Sequence, residues 1–203
     1  MRKAIFVIAA LIFGFGVLAT SVYQTSTKAV SNNLETESLE FEVAEEATEE
    51  ADEEAEKTVD YALVWPGILP DHFLYPVKML RDRIWLFLTT DSLKKAELLL
   101  KYADKRIWAA QMLVEKEKAD LGVTTATKAE KYLERAVNQA KVAQEEEKDV
   151  TAFWEKLSLA SQKHEEVLLA MQKTTGDSLK GALEGLLDYP QKALEEAKGR
   201  LSE

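Results

Sequence analysis

The chain has 203 residues, 26 basic and 36 acidic side chains, a formal net charge of −10 and no cysteine. Without thiols it has no disulfide, no thiolate metal site, no cysteine nucleophile and no lipid-modified cysteine. The acidity is local: Glu35–Glu56 holds twelve acidic residues and no basic one, whereas residues 57–203 carry 24 acidic and 23 basic groups. No domain-wide basic field is present to attract nucleic acid, and a nucleic-acid role is not expected.

Residues 1–29 begin MRK and continue through the uninterrupted apolar run AIFVIAALIFGFGVL. A basic start, an apolar middle and a small-residue exit describe a secretory signal. With Ala19 to Val22 added, the run approaches the length of a spanning helix. Two outcomes stay open: cleavage after Ala19 or Ala29, or a retained anchor with Arg2 and Lys3 on the cytoplasmic side. Both place the bulk of the chain outside the cytoplasm. Residues 30–58 follow as a like-charged tract with few large apolar residues. Such a tract buries too little to offset its ordering entropy and reads as a disordered acidic spacer.

From residue 59 the composition is that of a folded helical domain, expected to run to residue 203. The segment WPGILPDHFLYP (Trp65 to Pro76) places three of the four prolines within twelve residues. Proline fixes its own φ and biases its predecessor to extended forms, so this strap loses little entropy on docking. Its apolar side chains are expected to lie across a helical surface. Leu74 and Tyr75 are expected to dock on the seam of the second helix, with Pro76 starting the first.

That first helix is expected over residues 76–88, with Val77, Leu80, Ile84 and Leu88 on one face. Its end, Ile84 to Leu88, is apolar nearly all round, which predicts burial on several sides. Asp91 is placed to cap a long second helix over about residues 92–119, ending near Leu121-Gly122. Its stripe is Leu93, Ala96, Leu100, Ala103, Ile107, Ala110 and Val114. A third helix from about Thr125 carries Ala129, Leu133, Ala136, Ala140 and Ala143, with Glu145 to Asp149 as loop or solvated turn. A fourth, over residues 150–173, carries Phe153, Leu157, Ala160, His164, Val167, Leu168 and Met171. Gly176 breaks it, Asp177 is placed to cap a short helix to about Asp188, and Pro190 opens a last one to about Leu201. No strand alternation occurs. The expected fold is an all-α antiparallel helical bundle with a long central helix, preceded by the signal or anchor helix and the acidic spacer.

Motifs for chemistry are missing. The glycines are scattered rather than grouped in a phosphate loop, and no nucleophile elbow is present. A carboxylate-bridged di-iron bundle needs Glu three residues before His on two helices, but Ser161 precedes His164 and Leu69 precedes His72. His164 lies on the apolar stripe of the fourth helix, where Glu165 and Glu166 do not face it. It reads as a core-edge histidine bonded to an acceptor, with a pH-sensing or metal-touching role as the sharper alternative. His72 reads as turn polarity, Tyr102 and Trp108 as core or core edge, and Arg81, Arg83 and Arg106 (with Asp104 and Lys105) as solvated faces. No catalytic, metal or cofactor-binding residue is assigned, and no cofactor is expected.

The order Leu69-Pro70, Leu74-Tyr75, Lys78, Leu88-Thr89, Asp91, Lys94-Lys95-Ala96-Glu97-Leu98, Tyr102-Ala103 and Lys105-Arg106, with a later Lys163-His164 and Val167-Leu168, resembles the bacterial domain of unknown function 5667 family over roughly residues 65–175. The chain departs from that pattern at Asp71-His72-Phe73 and at Ser92. The resemblance implies an exported or membrane-anchored helical domain with no assigned activity. The expected function is therefore a non-catalytic interaction or scaffold module at the cell envelope. An envelope stress or metal sensor, or a helical holdase, is the alternative, and an enzyme is not expected. The candidate interaction surface comprises Leu69, Leu74, Tyr75, Lys94, Lys95 and His164. The expected partner is a protein or envelope component, with the membrane reached through an uncleaved N-terminal segment and self-association left open.

Overall fold

A computed structural model describes residues 59–202. The expected signal or anchor (residues 1–29) and acidic spacer (residues 30–58) lie outside the described residues. The described residues lie within one compact unit. Among the described residues there are six helices and no strand: α1 (Tyr75–Leu88), α2 (Ser92–Glu115), α3 (Ala119–Glu145), α4 (Thr151–Thr174), α5 (Asp177–Glu184) and α6 (Asp188–Leu201). The chain is an all-α helical bundle. α2 and α3 form an antiparallel hairpin packed along most of its length, α4 lies against α2, and α6 returns along α4 after the short α5. No described helix is long and apolar enough to cross a membrane.

The stripes expected on α2, α3 and α4 are the core. Ala96, Leu100, Ala103, Ile107 and Ala110 are buried on α2, as are Ala129, Leu133, Ala136, Ala140 and Ala143 on α3. Alanine at this spacing lets the helix axes approach closely, and each fully buried leucine adds about 1.5–3 kcal/mol. Asp91 caps α2 as expected, its carboxylate accepting from the Lys94 N–H at 2.9 Å. Asp177 does not cap α5: Gly176 holds the cap position, Asp177 is the first helical residue, and its carboxylate instead accepts from Lys180 at 2.8 Å.

The turn between α2 and α3 differs from expectation. α2 stops at Glu115 and α3 starts at Ala119, so Gly122 lies inside α3 rather than ending α2. The stop is made by Glu117 in the left-handed region (φ 60°). The Lys118 N–H then reaches the Leu113 carbonyl at 2.9 Å, closing the last turn. Gly122 serves close packing instead. A Cβ there would sit 2.7 Å from Val114 Cγ2 and 3.0 Å from the Ala110 carbonyl oxygen. The connection from α3 to α4 uses the same device, with Glu147 at φ 58° and the Lys148 N–H on the Ala143 carbonyl at 3.1 Å.

α1 is the largest departure. Burial was expected through Ile84 to Leu88, but of those five residues only Leu86 is buried. The helix touches α2 through the face of Tyr75, Met79, Asp82 and Leu86, and among the described residues no second helix covers its other side. Val77, Leu80, Ile84 and Leu88, the face read from spacing, point to solvent.

Candidate functional site: a sealed charge layer and an open apolar helix

Two apolar cores fill the bundle. One gathers Leu100, Leu133, Phe153, Trp154, Leu157 and their neighbours with Ala193 and Ala197 of α6. The other gathers Ile107, Ala126, Val167, Leu168, Met171 and Leu183. Between them α2, α3 and α4 each contribute a fully buried polar residue: Asp104, Glu130 and His164. The His164 ring bridges the other two, with Nδ1 2.9 Å from Glu130 Oε1 and Nε2 3.3 Å from Asp104 Oδ1. Tyr61 of the strap completes the layer, its hydroxyl donating to Asp104 Oδ2 at 2.8 Å.

Burial alone would depress the His164 pKa. The Glu130 and Asp104 carboxylates outweigh it through their charge and hydrogen bonds, and the pKa is pushed up to about 9. The ring is thus an imidazolium at neutral pH, with both N–H groups donating. Burial and the nearby Asp104 charge push the Tyr61 hydroxyl well above the usual phenol range. Among the described residues, Glu130 Oε2 and the buried Ser161 hydroxyl of α4 find no hydrogen-bond partner. The layer ties four chain segments together across otherwise apolar surfaces. Among the described residues no group of three or more His, Asp or Glu side chains is placed to hold a metal ion.

Beside this sealed layer, the strap and α1 present the opposite arrangement. The strap docks through Tyr61, through Leu63 against the second core, through buried Leu69, and through Trp65 edge-on to Trp108 at 5.1 Å. Lys78 fastens its bend by donating to the carbonyls of Pro66 (2.6 Å) and Ile68 (2.9 Å). Beyond Pro70 the apolar residues turn outward. Phe73 is 82 % exposed and Phe87 83 % exposed, with Val77, Leu80, Ile84, Trp85 and Leu88 each about half exposed or more. On an ideal helix Phe87, Leu80, Ile84, Val77 and Leu88 cover roughly 100° of arc. Arg83 flanks that arc on one side and Arg81 on the other.

The groove between α1 and α2 is basic. A cleft of about 540 Å³ is lined by Arg81, Lys94, Lys101 and Lys105, together with Trp85, Leu98 and Tyr102. Asp82 is also there, but its carboxylate is buried and accepts from Arg81 at 2.8 Å. Arg106 is buried beneath, its guanidinium 4.1 Å from the Tyr132 ring centre and donating to the Tyr102 carbonyl at 3.0 Å. Burial, and after it the neighbouring Lys101 charge, lower the Lys105 pKa. Burial, with Lys105, Arg106 and Arg81 against the opposing pull of Asp82, lowers Lys78 to about 8.

The residues singled out from sequence therefore separate. Leu69 and His164 are buried and form no surface; Tyr75 is half-buried against α2; Leu74, expected to dock, is exposed; Lys94 is exposed and Lys95 partly so. His72 lies in an exposed turn as read, its Nδ1 accepting from the Leu74 N–H at 3.1 Å. Arg106 and Asp104, read as solvated, are buried: Asp104 faces Tyr61 of the strap and His164 of α4, and Arg106 faces Met79 of α1 and Tyr132 of α3. Asp104, Glu130 and Tyr61 were not singled out, nor was the outward face of α1.

This is an all-α bundle with a buried charge layer and an unpaired apolar first helix. The chain belongs to the family described as domain of unknown function (DUF5667), whose model matches residues 67–178, from the strap to the first turn of α5. No curated protein and no solved structure matches the chain.

Proposed function

We propose that this protein is an exported, non-catalytic interaction module of the bacterial cell envelope, and that it binds through α1. The exposed apolar arc of Leu80, Ile84 and Phe87 carries the reading, since a contiguous apolar patch rimmed by charge marks an interaction site. His164, the histidine on the core stripe, has both ring nitrogens engaged and no exposure. A substrate has no route to it. The acidic spacer and apolar N-terminal run would hold the domain near the membrane from which it is exported.

The test is a photo-cross-linking residue placed at Phe87 in cells, with the same residue at exposed Glu155 of α4 as control. Discrete adducts at position 87 and none at 155 are expected. Equal labelling at both positions, or none at either, would remove α1 as the binding face. A helical holdase is the second reading, favoured by the same exposed surface; it would give a heterogeneous smear of adducts at 87 rather than discrete species.

A further inference from the structure

Resting on α1 as the binding face, we infer that its occupant is an anionic lipid surface: the folded domain lays α1 into the headgroup region of a negatively charged bilayer. Three observations converge. The apolar arc of Leu80, Ile84 and Phe87 is opposite the α2 contact, so the whole arc can enter a flat surface without moving the bundle. A helix of this kind buries its apolar face about 5–10 Å into the headgroup boundary. Second, the arc is bordered by Arg81 and Arg83, and the adjoining cleft adds Lys94, Lys101 and Lys105 beside Trp85. Residues 75–106 contain eight basic and four acidic side chains; Arg106 and two of the acids, Asp82 and Asp104, are buried, which leaves seven basic and two acidic side chains at the surface. The remainder of the domain leans acidic, so the charge is sorted towards the face that carries the arc.

Third, Arg81, Lys94, Lys101 and Lys105 line one cleft, and like charges gathered so closely repel one another. An anion among them would relieve that repulsion, and lipid phosphates beside an apolar arc supply both halves of the match. A second copy of the chain fits less well. Pairing α1 with itself would bring Arg81 and Arg83 of each copy to the seam, where like charges oppose association. The acidic spacer offers charge complementarity but few apolar residues for the arc.

The test is vesicle co-flotation of a chain of residues 53–203, which contains every described helix and lacks the N-terminal apolar run. Vesicles of phosphatidylcholine alone are compared with vesicles containing phosphatidylglycerol. Binding to the anionic vesicles only, weakened by salt, is expected. The combined Lys94→Gln, Lys101→Gln and Lys105→Gln variant should bind about 100-fold more weakly. Ile84→Ser with Phe87→Ser should bind at least about tenfold more weakly. Both variants change exposed or half-buried residues, and circular dichroism would verify that each keeps its helices. No vesicle binding, equal binding to both vesicle types, or unaltered binding by either variant would overturn the inference. So would a dimer in solution that Ile84→Ser dissolves while vesicles are ignored, which would assign the face to a second copy. If vesicles fail but position 87 cross-links to one protein in cells, the lipid occupant falls and α1 survives as the binding face. If both fail, both readings fall.

Discussion

The charge layer around His164 and the apolar face of α1 are inversions of the usual partition, one inside and one outside. In the layer, charged groups sit at zero exposure among alanines and leucines. On α1, phenylalanine, isoleucine and tryptophan stand in water. The difference lies in satisfaction. His164 has a partner on each ring nitrogen, and Asp104 a partner on each oxygen. A buried charge is tolerable when it is paired and hydrogen-bonded. The α1 face has no such closure: nothing in the described residues covers it. The paired inversion ties four segments of the fold together, whereas the open one leaves apolar surface on α1.

The comparison breaks most sharply at His164. His164→Ala leaves two buried carboxylates without their cation and is expected to cost on the order of 3–5 kcal/mol, read from urea denaturation. An effect below about 1 kcal/mol would mean that the layer is not closed by the histidine. The pH dependence follows with its sign fixed. The folded pKa, about 9, lies above the ordinary 6.5. Its contribution is therefore fully present below about pH 6.5 and is lost as pH rises towards 9. The size is on the order of 3 kcal/mol, since each tenfold gain in proton affinity on folding is worth about 1.4 kcal/mol. Thermal melts between pH 6 and 9.5 should show this fall in the parent and not in His164→Ala. Stability flat across that window would oppose a buried imidazolium.

A smaller loss is expected beside the turn of the α2–α3 hairpin. Gly122→Ala forces Val114 and the Ala110 carbonyl apart and should cost about 1–3 kcal/mol; no change in the denaturation midpoint would show that the hairpin can spread freely. The smallest effect belongs to α1. Ile84→Ser with Phe87→Ser should alter stability by no more than about 0.5 kcal/mol per site, because little burial is lost. A loss of several kcal/mol there would mean that the face is packed against something in the isolated protein.

Most of the fold was legible from spacing. The stripes of α2, α3 and α4 repeat at three and four residues without interruption, and periodicity of that length leaves little choice of face. The charge layer was half legible. His164 stood out on its stripe, but its partners did not, although both carried a usable signal. Asp104 lies four residues after Leu100 and three before Ile107, and Glu130 lies four after Ala126 and three before Leu133. A charged residue at core spacing on two helices calls for a buried counter-charge on a third. The family membership was legible too, because the strap and the start of α2 carry a long ordered motif.

The face of α1 was not legible, since both of its sides look apolar at helical spacing. Val77, Leu80, Ile84 and Leu88 make the stronger stripe, yet Tyr75, Met79, Asp82 and Leu86 are the side that packs. Tertiary contacts chose it: Arg106 reaches Met79 Sδ at 3.2 Å, and the Tyr102 hydroxyl reaches the Asp82 carbonyl at 3.5 Å. The sequence by itself determined an all-α chain, its helix order, three core stripes and the lone core histidine, because local periodicity and capping are properties of neighbouring residues. Only the tertiary structure decided that Tyr61, Asp104, Glu130 and His164 meet, and which side of α1 is left open. Those outcomes depend on residues up to about a hundred positions apart, whose meeting is set by how whole helices pack.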